Sequence, residues 1–499
     1  MPQPNFVYIM TDSQGAINLG CYGQPDLITP NLDRLAARGV RFDRAYSTCP
    51  VCGPARSGIF TGQYPHTAGV WANELPLSNV AKTMGQRFGD QGYRTAYVGK
   101  WHLSGQDYFD TGVAPDGWDK EYWYDGRNYM AELTPEERRL WRQVLASTEA
   151  LLKYDVPAEF TWGHRISDRA VKFLQEKQDK PFVLALSYDE PHGPCTCPAK
   201  YVKMFENYIW DPGPSRDEDM SNKPAFHRAL RESARRDQSS NPDGRMKFPP
   251  FFAANTFIDE EIGRVLDAID KFAPPNTYVI FTSDHGQFQN AHGLVGKGLA
   301  MYEESARIPL LIRGPGIAAG SADPTPVSHI DILPTMLDLA GLQVPGVLDG
   351  ESLKANLQEG ARNPEREVAI EWNRSDADGN GGTVHGGFFP ARCLEGRRYK
   401  LVINLFDSDE FYDLQEDPHE INNRINDASS AAIRDEMHNR LLRWMNDKRD
   451  PFRGQIWGLR PWHSAPAELF KGATYRADDG YLPPTLDYWT GKPHERLRK

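Results

Sequence analysis

A short stretch around Cys52 has the residue types of a nucleophile held in an anion site. Residues 52–56 read Cys-Gly-Pro-Ala-Arg. Pro54 presets the first turn of a helix, which predicts Cys52 at a helix N-terminus, where free N–H groups and the positive end of the dipole face an anion. Arg56 lies about one helical turn further on, so its guanidinium can reach the same place. The alternative is that Cys52 is a small buried thiol.

Other residues that could do chemistry follow predicted strands. Apolar runs at residues 6–10, 95–99, 182–186, 278–282 and 309–312 alternate with segments of helical period. The polar residues after these runs include Asp12, Lys100, His102, His192, Asp284 and His285, with Lys297 shortly after. Each could be an ordinary cap or a structural histidine. Because ligands bind at the carboxyl edge of parallel strands, the whole set predicts one site there.

The elements that position these residues indicate an α/β fold. Residues 1 to about 360 predict a mostly parallel sheet with helices on both faces. Helices are predicted at 84–92 and 167–175. Residues 104–165 read as an insertion with its own helix near 135–152, and the polar stretch 205–249 as a surface excursion. From Glu367 short strands lack intervening helices, which predicts an α+β unit with a small antiparallel sheet. We therefore expect a catalytic domain at 1–365 and a C-terminal subdomain with an extended tail at 366–499.

Composition excludes several classes of protein. The chain has 499 residues and a net charge of −11, which argues against nucleic-acid binding. No apolar run approaches the ~20 residues of a membrane span. Six cysteines are too few for a disulfide scaffold in a chain of this length, and Cys195 and Cys197 are expected to be structural thiols. The first residues show no secretory pattern, so we expect a cytoplasmic location.

Several motifs together resemble the sulfatase family of the alkaline-phosphatase superfamily. They occur in order over the first ~340 residues. They are Thr11-Asp12-Ser13-Gln14, Leu19-Gly20-Cys21-Tyr22-Gly23, Thr29-Pro30-Asn31-Leu32-Asp33, the Cys52 stretch, Gly99-Lys100-Trp101-His102, Ser283-Asp284-His285-Gly286, and Lys297 before Tyr302-Glu303-Glu304-Ser305. The resemblance implies an alkaline-phosphatase-like fold and hydrolysis of a sulfate monoester. It also implies that Cys52 is oxidised to formylglycine, which requires a maturation enzyme as a partner.

The resemblance assigns a role to each candidate residue. Asp12, Asp284 and His285 would bind one divalent cation, Ca²⁺ in the common pattern, and the oxidised Cys52 would add an oxygen ligand. Arg56 would hold the aldehyde hydrate, and Lys100 and Lys297 would bind sulfate oxygens. His102 would be the base that removes a proton from the hydrate, and His192 would protonate the leaving alcohol. One hydrate hydroxyl attacks sulfur, and the second later expels sulfate by breaking the carbon–oxygen bond.

Two positions depart from the family pattern. Ser13 replaces the usual second aspartate, and His285 replaces the usual asparagine. Both changes leave the site with fewer of the hard anionic oxygen ligands that Ca²⁺ prefers, so Mg²⁺ or Mn²⁺ is an alternative cation. Ser13 or Gln14 is an alternative ligand. His285 also suits a phosphonate monoester or phosphodiester hydrolase. A further alternative is a catalytically silent binder of sulfated sugars.

The expected substrate is a small sulfated carbohydrate. Segments 71–74, 118–129, 373–374 and 385–392 are expected to line the pocket mouth, because they mix aromatic rings with polar groups, as contacts to a sugar require. The alternative is that their aromatic residues only fill the core of the insertion.

Overall fold

The structure is a computed structural model that describes residues 3–144, 148–237, 249–374, 388–463 and Trp489. Strands within these residues form three sheets. The strands are β1 Asn5–Asp12, β2 Val40–Phe42, β3 Ala45–Tyr46, β4 Arg94–Gly99, β5 Phe182–Pro191, β6 Thr277–Ser283, β7 Arg307–Ile308, β8 Leu310–Arg313, β9 Ser321–Asp323, β10 Val327–Ser328, β11 Val368–Arg374, β12 Phe388–Glu395, β13 Tyr399–Asn404 and β14 Glu410–Asp413.

The helices lie between and around these strands. They are α1 Pro30–Ala37, α2 Cys52–Thr61, α3 Pro65–Ala68, α4 Met84–Gly89, α5 Gly126–Glu132, α6 Pro135–Val144, α7 Thr148–Tyr154, α8 Trp162–Gln175, α9 Ala199–Met204, α10 Ala225–Asp237, α11 Pro249–Phe272, α12 Glu303–Ala306, α13 Ile332–Leu339, α14 Lys354–Gln358, α15 Ala431–Asp447 and α16 Gln455–Gly458.

The largest sheet has seven strands in the order β4-β5-β1-β6-β8-β2-β9. Strands β4, β5, β1 and β6 are mutually parallel, and Ile9 is level with Leu186 and Phe281. β8 runs antiparallel to both of its neighbours. The predicted mostly parallel sheet is confirmed. Its central strands read as continuous apolar runs because helices cover both faces.

Alternate residues of β1 enter two different cores. Val7 and Ile9 pack in the core that contains α8 and α11. Phe6, Tyr8 and Met10 pack in the core that contains α2, α4 and α13. Because successive side chains of a strand point to opposite faces, burial on both sides holds the carboxyl end of β1, and thus Asp12, in a fixed place.

Several predicted helix bounds differ from the structure. α4 ends at Gly89 rather than Gly92, whose φ of 81° is not helical. α8 begins at Trp162, before the predicted Ser167, because the Thr161 side chain caps it by accepting the N–H of His164. The single helix predicted at 135–152 is instead α6 and α7, with residues 145–147 outside the described part of the chain.

The prediction that 205–249 is only a surface excursion is wrong for its described part. This stretch contains α10, where Phe226 and His227 are each 1% exposed. Phe226 packs edge-on against Phe389 of β12, with ring centroids 4.4 Å apart. The sequence of α10 is mostly polar because only one side of the helix is buried, so its composition does not predict that it packs against β12.

The C-terminal unit has the predicted antiparallel sheet, formed by β11, β12, β13 and β14 in that order. Leu401, Ile403 and Phe411 of this sheet share a core with Leu441 and Met445 of α15. The predicted tail lies mostly outside the described residues, at 464–488 and 490–499. The domain boundary at 365/366 stays a prediction.

Among the described residues, no helix has both the length and the apolar composition that crossing a bilayer requires.

His66 joins α3 to the C-terminal unit. Its backbone N–H donates to Glu371 Oε1 at 2.8 Å, its Nδ1 lies 2.5 Å from Glu371 Oε2, and its Nε2 lies 3.1 Å from the Lys448 carbonyl oxygen. Both ring nitrogens face acceptors, so the arrangement favours the imidazolium. Burial opposes the charge, but Glu371 raises the pKa of His66 above its usual value.

This contact predicts a pH-dependent stability. A histidine whose pKa is raised on folding stabilises fully below its unfolded pKa of about 6.5 and loses the contribution as pH rises through the folded pKa. His66→Gln should therefore lower the free energy of unfolding by about 1.5–3 kcal/mol at acidic pH and by less at alkaline pH. Urea unfolding across pH measures this, with the exposed His419→Gln as control. A difference that grows with pH would contradict it.

Candidate active site

Helix α2 begins at Cys52, as predicted, and every residue of the helix is buried. The Gly53 N–H, one of the free donors of the first turn, donates to Asn73 Oδ1 at 2.8 Å. A Cβ atom on Gly53 would lie 3.1 Å from that oxygen, which explains a glycine directly after Cys52. At the other end Gly62 adopts φ 67° and stops the helix.

Four buried side chains from three strand and helix ends converge on one point. Ligand atoms of Asp12, Cys52, Asp284 and His285 all lie within 4.8 Å of one another. Cys52 Sγ is 3.3 Å from His285 Nε2 and 3.8 Å from Asp12 Oδ1. The structure thus brings together the four residues that the sequence predicts as metal ligands, and two carboxylates with an imidazole suit a divalent cation.

The hydrogen bonds of neighbouring residues orient these groups. His285 Nδ1 donates to the Gly286 carbonyl at 2.9 Å, which leaves the Nε2 lone pair facing the cluster. Ser13 Oγ donates to Asp12 Oδ1 at 2.9 Å, whereas the Gln14 amide accepts from Thr11 and donates to Asn255. Ser13, one of the two alternative metal ligands, therefore lies beside the cluster. The other, Gln14, is held by Thr11 and Asn255.

Arg56 is buried beneath the cluster and connects its carboxylates. Its Nη2 is 2.9 Å from Asp12 Oδ2, and its Nε is 3.2 Å from Asp284 Oδ2. Its Nη1 donates to the Lys100 carbonyl and to Ser187 Oγ. These bonds make Arg56 a residue that positions the two candidate ligand carboxylates. The role that the resemblance implies, holding the aldehyde hydrate, stays a prediction.

Two lysines bring positive charge to the same place. Lys100 Nζ lies 2.7 Å from Asp12 Oδ2 and 3.1 Å from Asp189 Oδ1. Lys297 Nζ lies 2.9 Å from Cys52 Sγ, and its side chain is 20% exposed. These positions fit the predicted function of both lysines, which is to neutralise an anion held at Cys52.

Charge and burial shift the pKa values of the cluster. Burial acts against ionisation of Asp12, yet Lys100 and the other surrounding cations hold its pKa well below the usual value. Burial and the Asp12 charge raise the pKa of Asp284 to about 6. Burial and Asp12 also oppose a thiolate at Cys52, but Lys297 and Lys100 bring the Cys52 pKa well below its usual value. The site is built to hold negative charge at residue 52.

His192 lies at the mouth of the site, where two residues that the sequence reasoning missed hold it. Tyr108 Oη is 3.1 Å from His192 Nδ1 and also bonds Asp189 Oδ1, while Lys100 Nζ lies 3.9 Å from the centre of the Tyr108 ring. Asp189 lies three residues before His192, so its closeness in sequence could have identified it as a residue of the site. Tyr108 comes from the insertion, and no sequence pattern marked it.

His102 packs edge-on against Tyr108, with ring centroids 5.7 Å apart. Its backbone N–H donates to Asp110 Oδ2 at 2.6 Å, and its buried Nδ1 has no hydrogen-bond partner among the described residues. The carbonyl oxygen of His102 also lies near Gly53. The backbone of His102 therefore lies beside the start of α2, and its role as a base stays a prediction.

The prediction that segment 118–129 lines the pocket mouth is wrong for its large aromatic residues. Trp118 and Trp123 are 5% and 8% exposed and pack around Tyr97 in the core under the sheet. Tyr124 and Tyr129 belong to the opposite core. Packing rather than sugar binding explains these rings.

The remaining segments predicted to bind a sugar give a mixed result. Asn73 caps α2, and Trp71 packs edge-on against Phe452. Asn373 is 1% exposed, and neither atom of its amide has a hydrogen-bond partner in the described structure. Arg392 is buried in an ion pair with Asp450. Residues 385–387 and the side chain of Arg374 lie outside the described part of the chain.

Solved structures show which fold the chain shares. A protein solved with its substrate D-glucosamine-2-N,6-O-disulfate matches with a TM-score of 0.72 at 24% identity, over 90% of this chain and 99% of its own. The phosphonate monoester hydrolase of Agrobacterium radiobacter matches with a TM-score of 0.69 at 23% identity, over 89% and 96%. At these identities the likeness shows a shared fold.

Sequence comparison gives the family. The sulfatase family model matches residues 4–342, and the N-sulphoglucosamine sulphohydrolase C-terminal model matches residues 290–447. The uncharacterized sulfatase YidJ of Escherichia coli K12 is 45% identical over 100% of this chain and 98% of its own. The ulvan-active sulfatase of Formosa agariphila is 30% identical over 92% and 84%. The chain belongs to the sulfatase family and is a sulfuric ester hydrolase, as predicted.

Proposed function

We propose that this sulfatase removes sulfate from a carbohydrate, with a formylglycine made from Cys52 as its nucleophile and one divalent cation bound by Asp12, Asp284 and His285. The position of Cys52 carries this proposal. Its Sγ stands where the formylglycine oxygens would lie, between the candidate metal ligands and Lys297 Nζ. A nucleophile in that place has the positive charge that attack on a sulfate monoester requires.

The residues around Cys52 have separate roles in this proposal. Lys100 and Lys297 neutralise the sulfate oxygens, and Arg56 holds Asp12 and Asp284 in place. His102 takes a proton from the hydrate, and His192 gives one to the leaving alcohol. In support, the His102 backbone lies near Gly53, and both imidazoles pack against Tyr108. When bound, the cation supplies Lewis-acid polarisation of the nucleophile and the sulfate.

His285 bears on the identity of that cation. With an imidazole in place of an oxygen ligand, we propose that the site accepts Mn²⁺ or Mg²⁺ as well as the Ca²⁺ that the family resemblance implies. Activity after chelation and addition of single metals tests this. Recovery with Ca²⁺ alone would contradict it.

Sequence similarity supports the carbohydrate. One relative at 30% identity is named an ulvan-active sulfatase and matches 92% of this chain. The aromatic residues of segment 118–129 give no support, since they are core residues.

The deciding experiment compares three substrate classes on metal-loaded, formylglycine-containing enzyme. A panel of sulfated mono- and oligosaccharides is assayed beside a sulfate monoester and a phosphodiester of one phenol. We expect the highest kcat/KM on a sulfated sugar. Faster turnover of the phosphodiester than of every sulfate would instead favour the phosphonate and phosphodiester hydrolases that share the fold. No turnover, with an intact thiol by mass, would favour a silent sugar-binding protein.

Tyr108 is predicted to matter for the leaving group. Tyr108→Phe keeps the ring over Lys100 but removes the hydroxyl that contacts His192 Nδ1 and Asp189. We expect kcat on a sugar sulfate to fall at least about tenfold, because its alkoxide must be protonated, with a smaller change on an aryl sulfate. Tyr122→Phe, which loses a bond to Glu176 away from the site, is the matched control. Equal losses on both esters would contradict the prediction.

Two further predictions concern maturation and location. The formylglycine requires a converting enzyme as partner, and co-expression with and without such an enzyme tests that dependence. A cytoplasmic location also stays a prediction, which cell fractionation tests.

A further inference from the structure

A second group of possible metal ligands lies away from Cys52, between the catalytic sheet and the C-terminal unit. Ligand atoms of His292, Glu304 and Glu420 lie within 4.8 Å of one another. His292 and Glu420 are 0% and 1% exposed, and the Glu304 side chain is 14% exposed. None of these residues has a part in the chemistry proposed above.

The hydrogen bonds of His292 leave one nitrogen directed into this group. Its Nδ1 lies 2.5 Å from Glu218 Oε1, and its ring stacks on Tyr302 at 3.6 Å between centroids. Its Nε2 is fully buried, has no hydrogen-bond partner in the described structure and lies 3.8 Å from Glu304 Oε2. A histidine whose Nδ1–H is held by a carboxylate presents its Nε2 lone pair, which is the usual state of a metal-bound imidazole.

The two carboxylates are also incompletely paired. Glu304 Oε2 accepts no hydrogen bond in the described structure. Glu420 Oε2 accepts the Glu303 N–H at 2.8 Å, and its Oε1 lies 2.7 Å from Lys400 Nζ. An ion here would share Glu420 Oε1 with Lys400 and take the free oxygen of Glu304. Leaving the two buried atoms His292 Nε2 and Glu304 Oε2 without a hydrogen-bond partner would be costly.

The charge of the surroundings favours a cation over an anion. Six glutamates with side chains at most 17% exposed belong to this cluster, namely Glu218, Glu303, Glu304, Glu395, Glu410 and Glu420. Two lysines and three arginines pair with them or border them, so carboxylates still outnumber cations. One imidazole and two carboxylates are ligands typical of Zn²⁺ or Mn²⁺.

We propose that His292, Glu304 and Glu420 bind a second divalent cation, Zn²⁺ or Mn²⁺, that is separate from the cation at Cys52. His292 and Glu304 flank Lys297 in the chain, and Glu420 follows the C-terminal sheet. The ion therefore connects the segment that carries Lys297 to the C-terminal unit. Its position indicates a structural role, since no residue of the Cys52 cluster is among its ligands.

The test must separate this site from the one at Cys52. We would disable the first site in full-length protein with Asp12→Asn and Asp284→Asn, remove metal by chelation, and titrate Zn²⁺ or Mn²⁺ alone. Binding is measured by equilibrium dialysis with elemental analysis. We expect this double variant still to bind one ion per chain. Adding His292→Gln or Glu304→Gln should weaken that binding at least about 100-fold. His164→Gln, at a histidine of α8 that pairs with Glu261, is the matched control.

Cobalt gives a second readout that does not depend on activity. Co²⁺ in the double variant should show visible absorption without a sulfur charge-transfer band, because the proposed ligands are nitrogen and oxygen only. Circular dichroism checks folding, and if His292→Gln does not fold, the partly exposed and isosteric Glu304→Gln decides. Loss of all binding in the folded double variant, or binding that neither added substitution weakens, would overturn the proposal.

Discussion

Replacing Cys52 by alanine is expected to lower kcat/KM on a sulfate monoester by on the order of 10⁴-fold or more. Alanine removes the nucleophile, and the position of residue 52 leaves no other group to replace it. Residue 52 is the first residue of α2, and its side chain is surrounded by Asp12, His285 and Lys297. No neighbouring side chain can occupy the same point, so loss of the nucleophile should leave binding but little turnover.

The control and the maturation state make this prediction specific. Cys21→Ala, at a half-buried thiol outside the site, should retain activity. Enzyme made without a converting partner should keep the Cys52 thiol and be nearly inactive. Active enzyme should show, in the Cys52 peptide, loss of sulfur and two hydrogens and gain of one oxygen. Full activity in Cys52→Ala would refute the assignment of the nucleophile.

Replacing Arg56 by methionine is expected to destabilise the metal-free protein by about 3–5 kcal/mol. The guanidinium is 0% exposed and bonds two carboxylates that are also 0% exposed, those of Asp12 and Asp284. Without it, the two buried carboxylates lose a shared partner, although Lys100 and Lys297 still lie within ion-pair distance of Asp12. The loss should be smaller in metal-loaded protein, because a bound cation replaces part of the missing charge and stabilises the folded state.

Urea unfolding with chelator and with saturating metal measures both parts of this prediction. Arg34→Met is the matched control, since its ion pair with Asp267 has side chains 39% and 67% exposed and such pairs contribute about 0–1 kcal/mol. The prediction fails if Arg56→Met costs no more than Arg34→Met. It also fails if metal gives no relative protection.

The sequence by itself determined the sheet and the set of residues at its edge. Apolar runs such as Phe6–Met10 predict buried parallel strands because no surface strand tolerates them, and polar residues placed directly after such runs must meet at one edge. Asp12, Cys52, Asp284 and His285 could therefore be named together without coordinates. Pro54 predicted the start of α2 because local backbone preference decides it.

Only the tertiary structure decided which side chains contact each other. Arg56 is one turn from Cys52 in sequence, yet its donors go to Asp12 and Asp284, because packing directs the guanidinium beneath the cluster. Tyr108 reaches His192 from an insertion whose course no local pattern encodes. Burial of Trp118 and Trp123 depends likewise on the surface of the sheet that they cover. Local preferences and periodicity specify elements and their ends, whereas long-range packing determines which residues share a site.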